Sequence, residues 1–116
     1  MSLRTDRLGH LMQREIASLL RDGLKNPNVG LASISRVDVS TDLSYATVRV
    51  SVLGSKQEQM KSLGALQHSA GFIRTHLSKI IKIRKIPELH FVFDENQQHA
   101  ARIDEILSEL KEKGEL

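Results

Sequence analysis

Residues 45–52, YATVRVSV, set Ala46, Val48, Val50 and Val52 against Tyr45, Thr47, Arg49 and Ser51. A strict period of two fits a strand that is apolar on one side and solvated on the other. The preceding run, ASISRVDVS, repeats the pattern through Val37 and Val39. The polar TDLS between the runs is short enough for an antiparallel hairpin. Asp38 and Asp42 flank that turn, where aspartate has a local structural role. One half-buried hairpin is marginal in water, so its apolar side must be covered by the rest of the chain.

Both flanks supply helical cover. In residues 3–24, Leu8, Leu11, Met12, Ile16, Leu19 and Leu20 recur on one helix face. Gly23 and Pro27 stop that helix, and KNPNVG reads as a loop. From Lys56 to Arg84 the helical period returns in two stripes. One holds Met60, Leu63, Leu66 and Ala70; the other holds Ile73, Leu77, Ile80 and Ile81. Gly71 lies between them, and a mid-helix glycine costs about 1 kcal/mol relative to alanine, so a kink is expected there. Pro87 closes the segment. ELHFVFDE then sends Leu89, Phe91 and Phe93 one way, as a third strand. A last helix carries Ala100, Ile103, Leu107 and Leu110 after a cap at Asp94 or Asn96, with Gly114 beyond its end.

The order is α-β-β-α-(kink)-α-β-α. It predicts an α+β domain with a three-stranded sheet, helices packed on one face and a polar outer face. The 116 residues suffice for one core, and at 3% aromatic content without tryptophan that core is aliphatic. A single domain is expected over 1–113, with 114–116 a short C-terminal end. The absence of cysteine excludes disulfides, thiolate metal sites and cysteine nucleophiles, and fits a reducing compartment. With no apolar leader and no spanning segment, a soluble cytoplasmic protein is expected.

Catalysis finds no foothold. The five histidines form no ligand-spaced cluster, and no phosphate-binding or nucleophile-elbow motif occurs. A hydrolase using His68 or His76 is the weakest reading. No enzyme, cofactor or metal is predicted.

Charge is more informative. The formal net charge is +3, but residues 71–87 hold Arg74, Lys79, Lys82, Arg84 and Lys85 without one carboxylate. Continued as a helix, this segment turns Ile73, Leu77, Ile80 and Ile81 inward and Arg74, Lys79, Lys82 and Lys85 outward, with Arg84 near the core edge at the helix end. A solubility surface normally mixes signs. Like charges this close repel one another, so a polyanion partner is favoured over a merely solvated face. A membrane surface is disfavoured because the apolar face is needed for the core. Without a set of stacking aromatics on the sheet, phosphate and shape contacts to structured RNA suit the chain better than a base-reading platform. Arg4, Arg7 and Arg14 either extend this footprint or pair with Asp6 and Glu15. The rival reading is a protein-interaction module that docks an acidic partner protein.

The blocks RLGHLMQREIASLLRD, VDVSTDLSYATVRVSVLG, ALQHSAGFIRTHLSKIIKIRKIPELHFVFDE and RIDEIL occur in this order. Together, from residue 4 to about 110, the chain resembles the ribosome-binding factor A family of bacterial small-subunit assembly factors. The resemblance implies a type II KH-like domain that lacks the usual GxxG loop and carries an Ala-any-Gly kink between two helices. The matching positions here are Ser69, Ala70 and Gly71, a departure at the first; Ser69 is also a candidate N-cap. The resemblance further implies a non-enzymatic protein bound to the immature 30S subunit and to 16S rRNA and its precursor; a monomer is expected. It would assist 5′-end maturation, above all in the cold, and leave with the help of an assembly GTPase.

Overall fold

The computed structural model describes residues 3–22 and 28–96. Over them the chain runs α1 (Leu3–Asp22), β1 (Ala32–Val39), β2 (Tyr45–Val52), α2 (Lys56–His68), α3 (Ala70–Ile80) and β3 (Glu88–Phe93). This is the predicted order. The expected last helix, with Ala100, Ile103, Leu107, Leu110 and Gly114, falls outside the described residues, as do Gly23 and Pro27.

The alternating strand is the middle of the sheet, whose order is β1-β2-β3. β2 pairs with β1 antiparallel and with β3 parallel, placing Ala46 beside Leu89, Val48 beside Phe91 and Val50 beside Phe93. Ala46, Val48 and Val50 are fully buried. Each such valine contributes about 1.5–3 kcal/mol by leaving water. Leu8, Met12, Ile16 and Leu19 of α1, Ala65 and Leu66 of α2, and Ile73 and Leu77 of α3 join these strand residues in one apolar cluster. The helices therefore cover one side of the sheet, while Ser33, Thr47, Arg49, Ser51 and His90 occupy the alternate positions.

β1 departs from simple alternation. Its register with β2 shifts between Ile34 and Arg36, and Ser35 and Arg36 are both exposed. This bulge brings Ile34 and Val37, three residues apart, onto the same buried side and leaves Val39 half-buried. The hairpin turn is held by side chains. Asp42 accepts from the Ser44 and Ser40 hydroxyls at 2.7 and 2.8 Å, bonds that hold its carboxyl below the ordinary value. Leu43 follows in the left-handed region at φ 62°.

Both edge strands are blunted by a glutamine from a helix. Gln13 donates to the Ile34 carbonyl at 3.1 Å, and Gln67 donates to Leu89 O at 3.0 Å while accepting from Phe91 N at 2.9 Å. Edge groups satisfied in this way are less available for pairing with another chain.

α2 starts in a reciprocal cap. Ser55 Oγ accepts from Glu58 N and Glu58 Oε1 accepts from Ser55 N; the Ser55 N–H bond is the largest cause holding the Glu58 carboxyl below its usual value. The two predicted stripes are only partly right. Met60 is 55% exposed and Ile80 41% exposed, while Ala65 and Ser62 are buried instead. The break between α2 and α3 falls at Ser69, whose N–H donates to Ala65 O and Leu66 O. Ser69 takes the N-cap position of α3, where its carbonyl accepts from Ile73 N at 3.0 Å, but its side chain makes no cap bond there. Gly71 lies inside α3 without a positive φ, and a Cβ built there meets nothing within 4 Å. The break therefore does not depend on the conformational freedom of glycine at 71.

Close approach matters instead at Gly9, in the middle of α1. A Cβ there would sit 2.6 Å from the carbonyl oxygen of Val37, so α1 rests its backbone directly on β1. On an exposed helix, Gly→Ala would gain about 1 kcal/mol. Here Gly9→Ala is expected to lower unfolding free energy by about 1–3 kcal/mol, as overpacking does. Urea unfolding checks this, and a midpoint equal to or above that of the parent chain would contradict the close contact.

Candidate nucleic-acid interface

The cationic segment is built from two kinds of backbone. α3 holds Ile73 and Leu77 fully buried and ends at Ile80. Ile81 is extended at φ −93°, ψ 120° and buried, so residues 81–87 form a strap that leads into β3. The helix does not continue to Arg84. Pro87 closes the strap, and the residue before a proline is disfavoured in helical geometry. Along the strap Ile81 and Ile86 are buried and Ile83 half-buried, while Lys82, Arg84 and Lys85 are exposed. The sorting of greasy from charged side chains predicted by the helical wheel survives, but for these three cations it is achieved without a helix. Arg84, expected near the core edge, is fully in the outward set.

Lys79 stands in the last turn of α3, where a cation also suits the helix dipole. Among the described residues, no carboxylate pairs with Lys79, Lys82, Arg84 or Lys85. The surrounding sequence gives a reason: no Asp or Glu occurs between Gln59 and Pro87.

Arg74 does something else. It is half-buried, its Nη2 donates to the Ile86 carbonyl at 2.9 Å, and its Nε is buried without a partner among the described residues. Its guanidinium fastens the strap to α3, a structural role beyond the phosphate contact expected of it.

Arg4, Arg7 and Arg14 are exposed on α1, which packs beside α3. Neither Asp6 nor Glu15 forms an ion pair with them among the described residues, so the pairing account finds no support. The outer face of the sheet is different in kind. Asp38 Oδ2 accepts from Arg36 Nε at 3.1 Å and Arg49 Nε at 3.0 Å, and Arg36 Nη2 reaches Glu95 at 3.4 Å. Its arginines pair with carboxylates, whereas among the described residues Lys79, Lys82, Arg84 and Lys85 do not. The His68 and His76 side chains make no hydrogen bond among the described residues, and no group of three His, Cys, Asp or Glu side chains there could hold a metal.

A family model described as ribosome-binding factor A matches residues 4–107. The chain belongs to the ribosome-binding factor A family. A relative of that name from Macrococcus caseolyticus is 40% identical over 110 residues, covering 95% of this chain and 96% of the relative. A solution structure of a putative ribosome-binding factor A from Thermotoga maritima superposes with a TM-score of 0.67 at 29% identity, covering 82% of this chain and 91% of that one. A Thermus thermophilus homology model fitted into the map of a 30S–ribosome-binding factor A complex gives a TM-score of 0.61 at 23% identity, covering 72% and 88%. The architecture is accordingly the KH-like one.

The role of Arg74 is open to a direct check. Arg74→Leu removes a charge-assisted bond and is expected to cost about 1–2 kcal/mol. It should also speed hydrogen exchange at the amides of Ile83, which donates to Ile81 O within the strap, and Glu88, which donates to Ser44 O where the strap meets the sheet. Unchanged exchange at both amides would show that the strap does not need this anchor.

Proposed function

We propose that this chain is a non-catalytic assembly factor that binds the immature 30S subunit by gripping phosphates of 16S rRNA and its precursor. Lys79, Lys82, Arg84 and Lys85 make the grip, with Arg4, Arg7 and Arg14 widening it on the neighbouring helix. The observation that carries this reading is the row of exposed cations at 79–85 without a carboxylate partner among the described residues. Opposed charge beside these side chains would weaken such a surface; with none paired to them among the described residues, they suit displacement of the counterions of a polyanion. Family membership and the fitted 30S complex of the Thermus thermophilus relative support the same partner.

In this reading one KH-like domain over 1–113 acts as a monomer in the cytoplasm. It assists late maturation and 5′-end processing of 16S rRNA, and a GTPase acting on the same subunit helps release it. The dependence on cold that the family resemblance implies agrees with kinetics, because misfolded RNA helices rearrange more slowly as temperature falls.

Lys79→Glu combined with Lys82→Glu is expected to weaken binding to immature small subunits while leaving the melting curve unchanged. For every phosphate no longer neutralised, the log–log salt slope should fall by about 0.7–0.9. Unchanged affinity and slope would count against this surface. Binding to the particle that survives ribonuclease treatment would point instead to an acidic protein partner.

A further inference from the structure

Phe72 is 58% exposed in the first turn of α3, although the chain has only three phenylalanines and a core otherwise built from aliphatic side chains. The other two lie on β3, Phe91 buried and Phe93 half-buried against the core. The apolar anchor of this turn is Ile73, which is fully buried, while most of the Phe72 side chain stays exposed. Its surroundings are selective. Thr75, His76 and Lys79 follow at three, four and seven residues, so they share its helix face. Gly71 beside it is exposed, and the space where a side chain would begin is empty to 4 Å. The Thr75 hydroxyl is engaged internally with the Gly71 carbonyl at 3.0 Å. The strip therefore offers a flat aromatic face on open ground, a free ammonium two turns away, and no acid anywhere from 59 to 87.

We propose that Phe72 is a stacking platform for an unpaired RNA base, set beside the phosphate grip. The inference rests on the RNA-binding reading above and adds to it a preference for nucleotides outside a duplex. Charge decides the kind of occupant. An apolar protein segment could cover a phenyl ring, but nothing about a bare cationic strip favours one, whereas a nucleotide presents a π-face and a phosphate together. Bases stacked in a duplex have both faces covered, so a ring can take up only a base that has left the stack.

Phe72→Ala, Phe72→Leu and Phe72→Trp in the full chain, each measured on immature small subunits across a salt series, form the test. Phe72→Ala should weaken binding about 5- to 150-fold, the span found for base–aromatic stacking. The salt slope should stay that of the parent, because a phenyl ring releases no counterion. Phe72→Leu preserves the buried part of the side chain and guards against a folding artefact; it should weaken binding as well. Phe72→Trp should keep affinity, and as the sole indole in the chain its emission should be quenched on binding. Parent-like affinity for both Phe72→Ala and Phe72→Leu would overturn the platform, as would indole emission that brightens and shifts to the blue, the sign of an apolar protein pocket. Failure of the underlying RNA reading looks different: the parent chain itself would then bind without a salt slope, and the platform would fall with it.

Discussion

The parallel pairing of β3 with β2 is the constraint on which the rest of the molecule depends. After Val52 the chain is at one end of the sheet, yet β3 must begin beside Tyr45 at the other, where Glu88 N donates to Ser44 O. A parallel return needs a crossover, and here that crossover is α2, α3 and the strap. Its apolar residues are drawn onto the buried side of the sheet, so whatever is charged in it must face away. Because this same stretch lacks carboxylates from 59 to 87, closing the sheet and exposing cations with no acid in their own segment are two results of one folding event. Gln67, bonded to both Leu89 and Phe91, and Arg74, bonded to Ile86, fasten the crossover on either side of the break at Ser69.

The division of charge follows from this arrangement. On the outer sheet face, acidic and basic side chains arrive on neighbouring strands and meet, as Asp38 meets Arg36 and Arg49. Along α3 and the strap there is no acidic neighbour in sequence to do the same. Exposed like charges are mutually repulsive but cost little in water, so such a surface is tolerable in the free protein and becomes favourable against a polyanion. In the proposed reading this surface meets rRNA through charge, and the exposed ring of Phe72 adds a second mode of contact.

Much of the fold is legible in residue order alone, because β2 and α1 each present one unbroken period. Elsewhere pattern misleads. Ile73, Leu77, Ile80 and Ile81 make a good helix stripe and no glycine or proline follows them before Pro87, so the periodicity carries the helix on to Arg84 although it ends at Ile80. In β1 the bulge at Ser35 and Arg36 breaks the alternation by one residue, which a count of alternate valines cannot register. Arg74 lies at the border of the apolar face, and whether such a residue points out or folds over depends on where the strap runs. Gly71 has the look of a helix breaker, whereas Gly9, silent in an ordinary apolar stripe, is the glycine that the tertiary structure requires. The outward cations are legible because charge in an amphipathic segment has only one place to go, whatever the backbone does.

The most direct measurement is the position of the nucleic acid on the protein surface. A photoreactive side chain placed at Lys82 on the strap, and in a second protein at Ser33 on the outer sheet face, can be activated after each has been bound to immature small subunits. The account predicts crosslinks from position 82 to 16S rRNA and few from position 33. Crosslinks to RNA from position 33 with none from position 82 would contradict it, and would move the binding surface to the opposite side of the sheet.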